Sequence, residues 1–167
     1  MCIAIIFSVC PAKDTERLRQ VFLRAMSATG VDITDRRSEL IDNAQDGFHF
    51  VVWGGDALDC HVYTCPVIEE LLALPLDARD HPAIAAINRE SYTSFTIEHS
   101  PLWGPPDGVQ FRRIALAAAD LIDDTALAIV DLFGRRLARA DALTAERLRS
   151  DDPGSAFADA ITLPHQT

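Results

Sequence analysis

The stretch that decides the fold is SYTSFTIEHSPLWGPPDGVQFRRIALAAADLIDDTALAIVDLFG, residues 91–134. Residues 92–99 alternate between two sets of side chains, as is typical of a strand. A proline-rich loop follows, and Asp107 can accept hydrogen bonds from the amides that begin a helix. Apolar residues then recur every three or four positions up to Ile122, and residues 126–133 form a continuous apolar run. The stretch therefore predicts a strand, a loop, a helix and a strand buried on both faces.

The first part of the chain follows similar rules. Residues 3–9 predict a buried strand, and the helix after it is expected to begin at Asp14 and end at Gly30. Residues 38–44 are expected to form a short helix capped by Ser38. Residues 48–53 and 57–64 predict a hairpin around Gly54-Gly55, since two glycines allow the positive φ angles of a tight turn. Two further short helices are expected, one beginning near Pro66 and one from His81 to Arg89.

The order of these elements predicts an α+β fold. The first six match a two-layer, ferredoxin-like (split βαβ) sheet, which the last helix and strand would extend. A doubly wound α/β sheet is the alternative. We expect residues 1–150 to form a single domain and residues 151–167, which contain Pro153, Gly154 and Pro164, to be a loosely held tail.

Net charge limits the possible partners. The chain carries a net charge of −10 at pH 7. This argues against nucleic acid and against an anionic membrane surface, because both attract basic proteins. An acidic surface suits solubility, or the inhibition of a basic protein partner such as a toxin. No apolar run approaches the roughly 18 residues of a membrane span, and the four cysteines are too few for a disulfide scaffold. We therefore expect a cytoplasmic protein.

The sheet is predicted to have two unlike faces. In the ferredoxin-like plan the first strand lies between the returning hairpin strand and the strand at Tyr92, with helices on one side. The opposite face is predicted to carry His49, Trp53, Asp59, His61, Tyr63, Tyr92, Ser94, Thr96 and Glu98. Three interpretations stay open: an ordinary open face, a homodimer contact, or a ligand or catalytic site that uses His61, Asp59 and Glu98.

Other chemistry has little support in the sequence. Cys60, His61 and Cys65 lack the spacing of a zinc site, and Cys60 and His61 point to opposite faces of a strand. No GxGxxG, P-loop or GxSxG motif is present. We expect no metal and no cofactor.

Cys2 supports the only enzyme hypothesis. If Met1 is removed, Cys2 carries both a thiol and an α-amine that could act as its base. The start Met1-Cys2-Ile3 resembles N-terminal-nucleophile amidohydrolases and class II glutamine amidotransferases, and Asn88-Arg89-Glu90 resembles a motif in some of their relatives. The resemblance implies a hydrolase or amidotransferase with Cys2 as nucleophile. It covers these residues alone, and residues 4–9 lack the Arg-rich or Gly-rich segment usual in those families.

The sequence thus favours a small non-enzymatic protein that acts through protein contacts and forms a homo-oligomer. Its specific form is an acidic inhibitor or immunity-type protein of a basic partner. A thiol enzyme centred on Cys2 and a small-ligand sensor that uses the open sheet face are the alternatives.

Overall fold

The computed structural model describes residues 2–8, 15–34, 38–43, 47–52, 56–63, 87, 93–99 and 108–164. Together they form an α+β fold with one antiparallel sheet. The strands are β1 (Cys2–Phe7), β2 (Ser38–Asn43), β3 (Gly47–Val52), β4 (Asp56–Tyr63), β5 (Thr93–His99), β6 (Ala126–Asp131), β7 (Arg136–Arg139) and β8 (Ile161–Thr162). The helices are α1 (Thr15–Ala28), α2 (Gly108–Leu121) and α3 (Ala142–Arg149), with a 3₁₀-helix at Pro153–Phe157. The helices predicted near Pro66 and from His81 to Arg89 lie outside the described residues, except for Ile87.

The strand order differs from the predicted one. The sheet runs β2-β3-β4-β5-β1-β6-β7-β8, so β1 lies between β5 and β6. The predicted position of β1, between β4 and β5, is wrong because β4 and β5 pair directly with each other. Every pairing among the described strands is antiparallel. The ferredoxin-like plan is not confirmed, because β1 does not lie between β4 and β5 as that plan requires. The doubly wound alternative needs parallel neighbours, and none occurs among the described strands.

Helices cover one face of the sheet, which we call the first face. Ile3, Ile5 and Phe7 of β1 are buried there in one cluster with apolar residues of α1 and α2. Phe22 of α1 and Ile114 of α2 are fully buried in the same cluster. Each such side chain contributes roughly 1.5–3 kcal/mol by leaving water. The helical periodicity that the sequence predicts is therefore used for packing against the central strand.

Helix α1 ends where the sequence predicts. Gly30 has φ +85°, a left-handed conformation that suits glycine. The Gly30 amide donates to the Ser27 carbonyl at 3.1 Å, and the Val31 amide donates to the Met26 carbonyl at 3.1 Å. The Arg113 Nε of α2 donates to Thr29 Oγ1 at 2.9 Å and ties this end to the next helix. The end of α1 is thus fixed both by hydrogen bonds within its own turn and by a contact with α2.

Two local predictions are wrong. Residues 38–43 form strand β2 rather than a helix, because they pair along their whole length with β3, from Ser38 opposite Val52 to Asn43 opposite Gly47. Pairing with a neighbouring strand outweighs a weak local preference in so short a segment. The strand predicted over residues 126–133 ends at Asp131. Phe133 is 72% exposed, because the chain turns after Asp131 to form β7.

Residues 151–163 are not a loose tail. Phe157 of the 3₁₀-helix is buried against the helix side of the sheet, and β8 pairs with β7. The Leu163 amide donates to the Arg135 carbonyl at 2.7 Å, and the Leu163 side chain is 2% exposed. Pro153 and Gly154 thus lie within a packed 3₁₀-helix. The predicted tail extends to residue 167, and residues 165–167 lie outside the described part of the chain.

Candidate functional site

The pairing register defines the second face of the sheet. Directly opposed residues in antiparallel strands share a face. Cys2 is opposite Glu98, Glu98 is opposite Asp59, and Asp59 is opposite His49. The register therefore places on one face these members of the predicted binding face: His49, Asp59, His61, Tyr63, Ser94, Thr96 and Glu98. Trp53 and Tyr92 lie outside the described residues, and the binding role of the whole set stays a prediction.

One half of the second face is covered, which contradicts the expectation of an open face there. We call it the covered half. It consists of Ala4, Ile6, Ala128, Val130 and Leu137, all buried in one apolar cluster with Leu163. Ile87, Leu132 and Ile161 pack against the same cluster. The physical reason is that the chain returns after α3 and lays Leu163 over the sheet, where apolar strands gain from burial.

The other half of the second face lies in β2–β5 and differs in composition. We call it the polar half. Its positions, by register, are Glu39, Ile41, Asn43, Gly47, His49, Val51, Ala57, Asp59, His61, Tyr63, Ser94, Thr96 and Glu98. Carboxylates and imidazoles occur in it without any Lys or Arg. By sequence, the positions of the polar half include three carboxylates and two imidazoles.

Cys2 lies at the boundary between the two halves. Its backbone carbonyl accepts a hydrogen bond from the Leu132 amide at 3.0 Å, and the residue is 3% exposed. It forms no disulfide. A nucleophilic thiol has to be reached by its substrate, whereas a buried cysteine commonly packs as a small apolar side chain. Met1 and the Asn88-Arg89-Glu90 segment lie outside the described residues.

A polar cluster at the end of β6 was not predicted from the sequence. Asp131 is 5% exposed, and its Oδ1 accepts from the Gly134 amide at 2.8 Å. Its Oδ2 accepts from Arg136 Nη2 at 2.8 Å, and the Arg136 guanidinium lies 5.1 Å from the centre of the Phe157 ring. A Cβ at Gly134 would collide with the Asp131 carboxylate. The donors that Asp131 faces belong to its own turn, so the cluster holds the β6–β7 turn together.

A cleft opens on the helix side of the molecule, between the end of α2 and the start of α3. Its volume is about 720 Å³. Its walls are formed by Ala119, Ile122, Asp123, Asp124, Ala126, Leu127, Arg139, Ala140, Asp141, Ala142, Ala145 and Arg149. The sequence gives no local signal for this cleft, because its walls come from elements far apart in the chain.

Asp123 is the titratable group of this cleft with a displaced pKa. Partial burial alone would raise the pKa of its carboxyl. Hydrogen bonds from the Thr125 hydroxyl and amide, with the nearby Arg17 guanidinium, outweigh burial and lower the pKa below its usual 3.8. The Thr125 Oγ1 donates to Asp123 Oδ1 at 2.7 Å. Asp123 is therefore held as a carboxylate by its own turn.

Within the described part of the chain, no three His, Cys, Asp or Glu side chains lie together in a way that could bind a metal. In that same part, no helix has the length and apolar character needed to cross a membrane. No protein-family model, curated protein or solved structure matches this chain.

Proposed function

We propose that this chain is a binding protein whose polar half contacts a positively charged protein partner. The observation that carries the proposal is the separation of charge along the sheet. By register the polar half holds Glu39, Asp59 and Glu98, and the strands β2–β5 contain no Lys or Arg. Complementary charge speeds association and disfavours wrong partners.

The rest of the described molecule differs in this respect. The arginines of α2 and α3 lie near carboxylates that offset them. Asp120 accepts from Arg24 Nε at 2.9 Å and from Arg149 Nη2 at 3.0 Å, and Asp151 lies 3.3 Å from Arg112. The helix side is thus a mixture of both signs, while the paired strands β2–β5 are acidic throughout. A basic partner would therefore be steered toward the strands.

Burial of Cys2 supports a binding role over catalysis by that residue. The thiol belongs to a central strand that is enclosed on both faces. A hydrolase or amidotransferase centred on Cys2 needs a path from solvent to its sulfur. The small-ligand sensor is supported less well for the sheet face, because half of that face is filled by apolar side chains.

The predicted homo-oligomer and the cytoplasmic location remain part of the proposal. Two copies that met through their polar halves would bring Asp59 and Glu98 of each copy toward the same groups of the other. Like charges at close range are costly, so we place self-association on a different surface. Tyr63→Ala should accordingly leave the molar mass in light scattering unchanged, and a shift to a smaller species would move the self-contact to the polar half.

The test of this function compares two sets of charge-neutral substitutions. The first is Glu39→Gln, Asp59→Asn and Glu98→Gln in the polar half. The matched control is Asp151→Asn, Asp152→Asn and Asp159→Asn, three exposed carboxylates elsewhere. Both variants lose three negative charges, so the net charge rises equally and only its location differs.

The measurement is binding to proteins from the source cell, captured by the tagged chain, identified, purified and titrated. We expect a partner with a basic isoelectric point, whose Kd rises at least tenfold between about 50 and about 200 mM salt. The polar-half variant should bind at least tenfold more weakly than the control variant. Equal affinities for both variants, or an affinity that salt leaves unchanged, would overturn the proposal.

A further inference from the structure

We propose that the cleft between α2 and α3 binds a small organic cation with an apolar body. The site is separate from the polar half, since it lies on the helix side of the sheet. Its volume, about 720 Å³, falls in the range of small-molecule sites, roughly 300–1,000 Å³. The class of ligand follows from the apolar floor and from the Asp124 carboxylate in the wall, which has no partner among the described residues.

The floor of the cleft is apolar and made of small side chains. Ala119, Ala126, Ala140 and Ala145 are buried, and Ile122 and Leu127 are half-buried beside them. Alanines at these positions leave space that larger side chains would fill. A floor of this kind accepts an aromatic or aliphatic group and gains by excluding water from it.

The charged groups of the wall can be paired off one by one. Asp123 lies 3.6 Å from Arg17 of α1. Arg149 donates to Asp120 Oδ1 at 3.0 Å and to the Ala119 carbonyl at 3.1 Å. Asp123 is therefore offset by Arg17, whereas Arg149 shares the Asp120 carboxylate with Arg24 of α1.

The two other carboxylates of the wall belong to Asp141 and Asp124. Asp141 caps α3 by accepting from the Thr144 amide at 2.9 Å, and it lies 3.8 Å from Arg139. Asp124 is exposed, and no hydrogen bond or ion pair reaches its carboxylate in the structure of the described residues. The Asp124 carboxylate therefore has no cationic partner at the mouth of a cleft with an apolar floor and a charged wall.

The neighbouring backbone adds to this preference. Asp124 lies three residues after Leu121, the last residue of α2. The carbonyl end of a helix carries a partial negative charge that favours cations. An ammonium group at Asp124 with its apolar chain over the alanine floor would satisfy both features, whereas a carboxylate in that place would be repelled.

The test uses three probes of similar size that differ in head group: phenylbutylammonium, phenylbutanol and phenylbutanoate. Each is titrated into the full chain while backbone amide resonances are followed by NMR. We expect saturable shifts with phenylbutylammonium, centred on residues 119–127 and 139–149. The neutral and anionic probes should bind at least fivefold more weakly.

Substitutions at Asp124 test whether its negative charge is needed for binding of the cationic probe. Asp124→Asn should weaken phenylbutylammonium binding at least fivefold, and Asp124→Glu should restore most of it. Asp159→Asn, which removes an 87%-exposed carboxylate elsewhere, should leave it unchanged. Because Asp124 is exposed in a turn, these variants should keep the thermal midpoint of the parent.

Three results would overturn the proposal: equal binding of all three probes, parent-like binding by Asp124→Asn, or absence of saturable shifts at millimolar probe. The outcome of this test says nothing about the polar half, so each of the two proposals can fail without the other.

Discussion

The two halves of the second sheet face are built from the same strand geometry but have opposite character. In the covered half, Ile6, Val130 and Leu137 lie under Leu163 and are removed from water. In the polar half, the neighbouring strands place Asp59, His61 and Glu98 at equivalent positions. One face of a sheet can therefore hold buried apolar residues at one end and polar residues at the other. The division falls between β1 and β5.

The largest expected effect comes from the covered half. Leu137→Ala should lower the free energy of unfolding by about 2–5 kcal/mol, because Leu137 is fully buried and the substitution leaves a cavity. If the polar half faces a partner, as proposed, His61→Ala should change it by less than about 1 kcal/mol. Chemical denaturation of both variants measures the contrast. A loss at His61 as large as that at Leu137 would count against the binding role proposed for the polar half.

The cover itself can be removed. Leu163→Ala should lower the free energy of unfolding by about 2 kcal/mol, since Leu163 is buried over β1, β6 and β7 although it lies near the C-terminus. Val109→Ala is the matched control, because Val109 is an exposed apolar side chain on α2. If both variants unfold at the parent's denaturant midpoint, residues 151–163 are loosely held after all.

A smaller effect is expected at the turn that joins β6 to β7 beside the covered half. Asp131→Ala removes the acceptor of the Gly134 amide and of Arg136 in a buried place, and should cost about 1–3 kcal/mol. Asp131→Asn keeps one acceptor and should cost less than Asp131→Ala. The same denaturation measurement applies, and equal costs for the two variants would refute the assigned roles of the two oxygens.

The smallest effect concerns pH and a carboxylate on the helix side. The pKa of Asp123 is lowered in the folded protein. Its contribution to stability is therefore complete above the unfolded-state pKa of about 3.8 and is lost as pH falls through the lower folded-state value. At neutral pH, Asp123→Asn should cost less than about 1 kcal/mol, because the side chain is partly exposed.

Unfolding curves of Asp123→Asn and the parent at several pH values provide the check. The difference between them should shrink as the pH falls below about 4. A difference that grows toward low pH would contradict the direction of the pKa displacement.

Local patterns were sufficient for most of the elements. The period of three to four residues in α1 and α2, the glycine after α1 and the alternation in β5 all derive from rules that act within one turn or one strand. Side-chain alternation also predicted that Asp59 and His61 share a face of their strand, whereas the pairing register between strands adds His49 and Glu98 to that face. Residues 38–43 escaped these rules, since pairing with β3 makes them a strand.

Strand order, the cover over half of the second face and the cleft at Asp124 were decided by tertiary structure alone. Each depends on contacts between segments far apart in the chain: β1 beside β5 and β6, Leu163 over β1 and β6, and α3 near the end of α2. The sequence by itself determined which residues alternate, which are apolar and where helices can begin and end. It does not encode locally where a returning segment will pack, because that choice is made by the total apolar area buried across the whole fold.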